Sequence, residues 1–548
     1  MHFWLFFAPI KAVWFRRVDF ENMKANKSIW GVILAAVFVL GCGAVETWAQ
    51  NSQETFYLRF TGLKNLKRGA DGTLLKAVLK KPETTFVQKI FAQRLANEGV
   101  FSFFGTTPLD TLLDDEICAL ATGGESPSFV FAAKLGPQES QKRFDALRAA
   151  RKGEGILTSE KGTVNREESW VLRDASGVSR AVAHGCGWLM YYTWKGDKVP
   201  QAIPTGLIHG SRAVPALGTN SLELRMDVDA CRPFLGKLAS LSQSVSSVKL
   251  LGWLQGENVQ SRLWVDLKEE VKLTRNPWQF PTNIVIDPLV QLTALRGSGD
   301  LIQKSGWWEE VTKGEVEAPD QMYLFARNGT PFLTTLLAAT PKPAEAVGKL
   351  GWGLTQWMTN SHPNMGYPPQ LAVNTNVVEL GWVGWPIVTP YLRAAKDGEK
   401  DYLMGGAILG YPKGTQLPPE LWGAILKEED TFLYSWEITG QRFPQLQVLN
   451  GLFKMIMRDA PAKVARKAKA DMTPEELEAR EEEANQRKIK NQRDEKVSNW
   501  LTSATDSLGN CVTLGRQTSS RQLYFERQSS CGLSALELWI LGEWLMDR

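Results

Sequence analysis

The chain has 548 residues, 43% of them apolar and 22% charged, an ordinary globular balance that is too long for one core and implies two or more domains. A formal net charge of only +4 argues against a nucleic-acid partner or an anionic surface. His184, His209 and His362 are the only histidines after residue 2, which disfavours zinc and multi-histidine chemistry.

Residues 1–49 read as a leader. From Met23 the chain has a basic start (Lys24, Lys27), an apolar run from Ile29 to Leu40, and small residues at Thr47 and Ala49. That is the build of an export signal cleaved after Ala49, and the run is short for a bilayer span. The 22 residues before Met23 do not fit a signal, which makes Met23 an alternative start. "VLGC", ending at Cys42, also resembles a lipoprotein box, with Leu40 larger than the usual residue. The expected location is therefore periplasmic or extracellular, with membrane contact only through a lipid on Cys42 or an uncleaved signal.

The mature chain, from about residue 50, opens on the strand "TFYLRF" (55–60). "PSFVFAAKLGPQESQKRFDALRAA" (127–150) predicts a strand to Leu135, a turn at Gly136, and a helix from Pro137 with Phe144 and Leu147 inward. His184 and Cys186 stand one residue apart before the strand "WLMYYTW" (188–194). They suggest a thiol–imidazole dyad in outline, but no orienting carboxylate lies at recognisable spacing, so a packed histidine is the reading. "SLELRMDVDACRP" (221–233) alternates as a half-buried strand, then carries Asp227, Asp229 and Arg232 before a predicted helix.

A second stretch opens with "QMYLFA" (321–326). The loop "LGWVGWPIVTPYL" (380–392) sets Trp382 and Trp385 three apart among glycines and prolines, where flat rings can stack a sugar or another apolar-faced ligand. "DYLMGGAILG" (401–410) precedes "TFLYSWEITGQR" (431–442), which aligns without a gap to 221–232. Glu437 then matches Asp227, Thr439 matches Asp229, and Arg442 matches Arg232. A threonine in place of the second aspartate points to what the two residues share, capping a helix N-terminus. Asp229 and Thr439 are accordingly read as N-caps, and Asp227/Arg232 and Glu437/Arg442 as structural ion pairs or site candidates.

From Ala460 the chain turns to charge and alanine. "TPEE" (473–476) is a capping box, and Glu476/Arg480 and Glu483/Arg487 are favourable i,i+4 pairs, so 460–497 reads as an insertion with a long solvated helix. A hairpin is expected at 510–528, then a buried terminal helix through "LSALELWILGEWL". Cys118, Cys186, Cys231, Cys511 and Cys531 are an odd number, so at least one is unpaired within the chain.

Pairing the similar segments in order predicts a duplication, with a first half over 50–305 and a second over 315–548. Strict alternation argues against a doubly wound parallel core. The expected fold is α+β: two related halves, mainly antiparallel sheets with helices on one face, plus the charged helical insertion.

The signal, "FYLRF", "FVFAAKL" followed by "RFDAL", "FLYSWEITGQRFPQL" and "GLSALELWILGEWL" resemble a group of exported bacterial proteins whose domains are of unknown function. The resemblance covers most of the mature chain, and it implies a duplicated α+β protein of the cell envelope with no assigned chemistry. Gly-x-Ser-x-Gly, His-Glu-x-x-His, phosphate-loop, dinucleotide and EF-hand motifs do not occur. The leading expectation is a non-catalytic envelope scaffold or binding module, with no cofactor and no metal, whose partner is an envelope protein or a small ligand. A second is a carbohydrate- or apolar-ligand-binding protein, hydrolytic or not, using the 380–392 loop and the seam between halves. A third is a lipoprotein partner of an assembly machine, through Cys42.

Overall fold

A computed structural model describes residues 54–96, 114–122, 128–150, 157–158, 169–173, 178–185, 187–195, 221–231, 244–303, 306–329, 334–361, 370–374, 378–408, 414–419, 422–423, 430–456 and 473–546. The leader, Cys42, His209, Cys186 and Arg232 lie outside these. The chain forms two compact units, and both are α+β. One runs to Glu269 and takes in Arg521–Gly532. The other comprises Glu270–Ser520 and the residues from Leu533 on.

The N-terminal unit contains β1 (Glu54–Phe60), α1 (Leu63–Arg68), α2 (Thr73–Leu79), α3 (Thr84–Ala96), β2 (Glu116–Thr122), β3 (Ser128–Lys134), α4 (Pro137–Ala150), β4 (Leu157–Thr158), β5 (Ser169–Arg173), β6 (Val178–Gly185), β7 (Trp188–Lys195), β8 (Leu222–Asp227), β9 (Val245–Gln255) and β10 (Asn258–Leu267). The last strand of the chain, β22 (Gln522–Ser529), also belongs to it. All pairings are antiparallel, in the order β4-β5-β6-β7-β3-β2-β1-β8-β9-β10-β22. Helix α4 starts as its sequence predicts. Gly136 takes φ 89°, Pro137 follows at the first helical position, and Ser140 N–H bonds to Gly136 O.

The C-terminal unit contains β11 (Ile286–Asp287), β12 (Leu289–Arg296), α5 (Gly299–Gln303), α6 (Gly306–Thr312), β13 (Gln321–Arg327), β14 (Thr334–Ala339), α7 (Pro343–Ser361), β15 (Gln370–Asn374), β16 (Glu379–Val383), β17 (Tyr391–Asp397), β18 (Lys400–Gly406), β19 (Thr415–Gln416), β20 (Thr431–Ile438), α8 (Thr439–Ile456), α9 (Pro474–Thr505), β21 (Asn510–Ser519) and α10 (Ala535–Met546). Its sheet runs β15-β16-β17-β18-β14-β13-β12-β20-β21, again antiparallel throughout. One face carries a core of Tyr323, Phe325, Leu337, Tyr402 and Met404, covered by Trp278, Phe280 and Leu417 from irregular segments. On the other face α7 lies so close to α6 that a Cβ on Gly353 would stand 1.8 Å from Val311 O.

Two expectations need correction. The boundary expected between 305 and 315 falls at Glu269/Glu270, because β12 pairs with β13 and β20. The expected second half is also not one body. Arg521–Gly532 joins the N-terminal unit, where β22 bonds along β10 from Val259↔Ser529 to Asp266↔Gln522.

In pairing order, β4-β5-β6-β7-β3-β2-β1-β8-β9 and β15-β16-β17-β18-β14-β13-β12-β20-β21 follow one scheme, strand for strand. Helices fall in matching places, between β1 and β2 as between β12 and β13, and after β3 as after β14. The scheme puts β7 and β18 in equivalent places, and likewise β8 and β20. It moves "TFYLRF", which is β1 and corresponds to β12, whereas "QMYLFA" is β13 and corresponds to β2. The β8/β20 alignment is also out of phase. The Phe144 ring of α4 packs on His184, and following the registers from His184 puts Leu222, Leu224 and Met226 on the helix-bearing face. Gly351 of α7 abuts Leu380, and the same tracing puts Leu433, Ser435 and Glu437 on that face. Tyr434 and Trp436 therefore point the other way. A one-residue slip inverts every side chain of a strand.

Candidate functional site

The first candidate is the end of β8. Asp227 Oδ1 accepts the backbone N–H of Ala230 at 2.9 Å, closing the turn after the strand. Asp229 accepts Lys268 Nζ at 2.6 Å on the surface. Of the two residues that an N-cap at Asp229 would serve, Cys231 gives its backbone N–H to Asp227 O at 3.1 Å, and Arg232 lies outside the described residues. Burial raises the thiol of nearby Cys231 to about 12, which keeps it protonated and unreactive at neutral pH.

The second candidate, at the end of β20, is a buried polar cluster. Glu437 is 4% exposed and faces the helices. Its Oε1 accepts Ala535 N–H at 2.6 Å, at the N-terminus of α10, and the Thr439 hydroxyl at 3.0 Å. Thr439 is itself the first residue of α8. Arg442 Nη1 donates to Thr334 Oγ1 at 3.0 Å and to Gln445 Oε1 at 2.8 Å, and Gln445 Nε2 reaches Arg327 O at 3.0 Å. Burial pushes the Arg442 guanidinium down to about 10, and the charge of Glu437 pulls it back up. The cluster ties β13, β14, β20, α8 and α10 together. Helix α10 carries its own capping box as well, with Ser534 N–H donating to Glu537 Oε2 at 2.9 Å.

Trp382 is 5% exposed and donates its Nε1–H to Thr355 Oγ1 at 2.9 Å. Trp385 packs with Val388, Leu452, Ala407 and Ile408. Trp382 is thus a buried residue and Trp385 is half-buried against a small cluster, and the two indoles form no open stacking pair. The most exposed large apolar side chain of the loop is Ile387, at 73%, with φ 72°. His184 is half-buried against Phe144, and its buried Nε2 has no hydrogen-bond partner among the described residues. Among those residues no group of three His, Cys, Asp or Glu side chains is placed to hold a metal, and no helix is long and apolar enough to cross a membrane.

The sequence reading passed over the sheet face built by β1, β8, β9, β10 and β22. The registers put Tyr57, Arg225, Lys249, Trp264 and Tyr524 in one row across five strands. The Arg225 guanidinium stands 4.9 Å from the Tyr57 ring centre and Lys249 Nζ 5.2 Å from that of Trp264. Trp264 and Tyr524 are 5.2 Å apart and tilted. In the next row Arg262 pairs with Glu526 at 3.2 Å and lies 5.0 Å from the Trp253 ring, while Arg225 Nε donates to Glu223 at 2.8 Å. Asp266 closes the far end by accepting Ser247 and Gln522. Trp253, Trp264 and Tyr524 are half-buried and Arg262 is exposed. The signal available in the sequence was β10 itself, whose alternate positions Gln260, Arg262, Trp264 and Asp266 are polar or amphipathic. Such a face is balanced in charge and rich in Trp, Tyr and Arg. It suits contact with another macromolecule better than acid–base chemistry.

No family model matches this chain. No curated protein matches it either. Two solved structures are found, crystal forms III and IV of TP0453, each 10% identical with a TM-score of 0.20. They cover 43% and 39% of this chain, and 81% and 78% of their own. Likeness at that score carries no structural or functional argument.

Proposed function

We propose that the chain is a non-catalytic, exported envelope protein, built from a duplicated α+β unit, that works as a binding module or scaffold. The observation that carries the reading is how the candidate acids are used. Asp227 closes a turn, Asp229 holds Lys268, and Glu437 anchors α10 and Thr439. These partners are backbone N–H groups, a lysine and a hydroxyl, the use expected of structural acids rather than of the paired carboxyls that hydrolyse a glycoside. The cation–aromatic face of β9, β10 and β22 supports the binding half of the reading, and the common strand order of the two sheets supports the duplication.

The test is site-specific photocrosslinking in intact cells, with a photoreactive amino acid at Arg262 and a control at Lys142 on α4. A discrete adduct with one envelope protein from position 262, absent from 142 and lost with Trp264→Ala, is the expected result. Equal adducts from both positions, or retention of the full-length chain in the cytoplasm, overturns it.

A further inference from the structure

We propose that β15 is a self-association edge, which pairs antiparallel with β15 of a second copy of this chain. Strand β15 ends the sheet of the C-terminal unit, and among the described residues it is bonded on one side only, by β16. The direction of its other backbone groups follows from the ladder. Trp382 N–H donates to Pro390 O at 2.8 Å and Ala394 N–H to Val378 O at 3.2 Å. Successive residues of a strand bond to opposite sides, so Glu379, Gly381 and Val383 bond towards β15. Their partners there are Asn374, Ala372 and Gln370. Leu371 and Val373 therefore turn both N–H and C=O outward.

This edge lacks the usual protection. Its five residues carry no charge and no proline, and their register with β16 has no bulge. Gln370, Ala372, Val373 and Asn374 are exposed, Val373 at 62%. Leu371 and Val373 stand opposite Trp382 and Leu380, which meet α7 at Thr355 and Gly351. Their side chains thus lie on the α7 side of the sheet. Trp352, beside Gly351 on that helix, is 59% exposed and adds apolar surface there.

The edge is self-complementary. With the two Ala372 residues opposite each other, Leu371 of each copy meets Val373 of the other as a hydrogen-bonded pair, and every outward N–H of these residues finds a C=O. Leu371 and Val373 of both copies then form one apolar row. On the other face Gln370 stands opposite Asn374 and the small Ala372 opposite itself, so no charge is opposed or buried. Pro368 and Pro369 precede the strand and have no N–H, which keeps the ladder short. A disordered peptide would lose backbone freedom at every residue for those few bonds, whereas a second copy brings an edge that is already ordered. The short, neutral, self-matching edge selects a second copy.

The experiment is sedimentation velocity on the full chain, combined with cysteine crosslinking under mild oxidation. The wild type is expected to dimerise at micromolar concentration. Val373→Pro deletes an N–H that β16 does not use, so it should preserve dichroism and urea unfolding and weaken dimerisation about tenfold or more. Val373→Lys, which sets a charge against Leu371 of the other copy, should do the same. Ala372→Cys should form a disulfide-linked dimer rapidly, because facing Cα atoms in a non-hydrogen-bonded pair lie about 4.5 Å apart. Asn374→Cys alone should not, since its two copies would lie about 14 Å apart along the strands. Gln370→Cys combined with Asn374→Cys should crosslink again. The crosslinks read the register even where Val373→Pro fails to fold. A wild type that stays monomeric throughout the micromolar range overturns the proposal. So does a dimer unaffected by Val373→Lys, or crosslinking of Asn374→Cys as fast as that of Ala372→Cys.

Discussion

Replacing Glu437 by alanine tests whether this buried acid is structural. The substitution removes two short hydrogen bonds, one at the N-terminus of α10 and one to Thr439. Bonds to a charged group contribute about 1.5–3 kcal/mol each, and breaking a buried charge pair costs about 3–5 kcal/mol. It also leaves Arg442, which lies 3% exposed, without the charge that offsets its burial. Glu437→Ala should therefore destabilise the C-terminal unit by about 3–5 kcal/mol. Glu437→Gln keeps an acceptor for Ala535 N–H and should cost about 1–2 kcal/mol. Arg442→Met in the Glu437→Gln background should cost less than the sum of the two single changes, because it removes the cation left unbalanced. Urea unfolding followed by far-UV dichroism and tryptophan fluorescence measures the wild type and all four variants. A cost below about 1 kcal/mol for Glu437→Ala, or equal costs for Ala and Gln, would refute the structural role and return Glu437 to the list of possible active groups.

Gly353→Ala drives a methyl group into the Val311 carbonyl and should cost about 3 kcal/mol in urea unfolding, since the contact is backbone and cannot swing away. Ile387→Gly relieves a β-branched residue held at positive φ and exposes no core, so thermal unfolding should shift upward by the equivalent of about 0.5–1 kcal/mol. Burial raises the phenols of Tyr57, Tyr191, Tyr323, Tyr402 and Tyr434 above their ordinary value of 10.0. Their contribution is fully present below pH 10 and is lost progressively above it, as the unfolded chain ionises first. Tyrosinate absorbance near 295 nm should therefore rise together with loss of dichroism, and a rise well before unfolding would contradict the burial. Trp382→Phe should cost about 1–2 kcal/mol by deleting the bond to Thr355, with no effect on any binding measured at position 262.

Local signals made much of the fold legible. Gly136–Pro137 opens α4, "TPEE" opens α9, and alternation marks β8, β20 and the two last strands. These are decided by neighbours in sequence, which is why composition and spacing reach them. Strand phase was not legible. "SLELRMDVDACR" and "TFLYSWEITGQR" alternate equally well in either phase, and only the bonding partners of β8 and β20 decide which set faces the helices. Glu437 consequently looked like the counterpart of the exposed Asp227, although it is buried on the opposite face. The ownership of β22 was hidden for a similar reason, since its place beside β10 is a contact across more than 250 residues of chain. The Trp382/Trp385 spacing signalled aromatic density. It could not tell rings that fill a core from rings that meet a ligand, because both require the same side chains.

The placement of β22 also sets a timetable. Until residues 522–529 are made, β10 is an edge strand with its outward N–H and C=O groups unpaired, beside the apolar Leu263 and Val265. The N-terminal unit therefore cannot finish its sheet as it emerges, and must wait for nearly the whole polypeptide. The export proposed above would gain from such a delay, because the absence of β22 keeps the sheet from closing early.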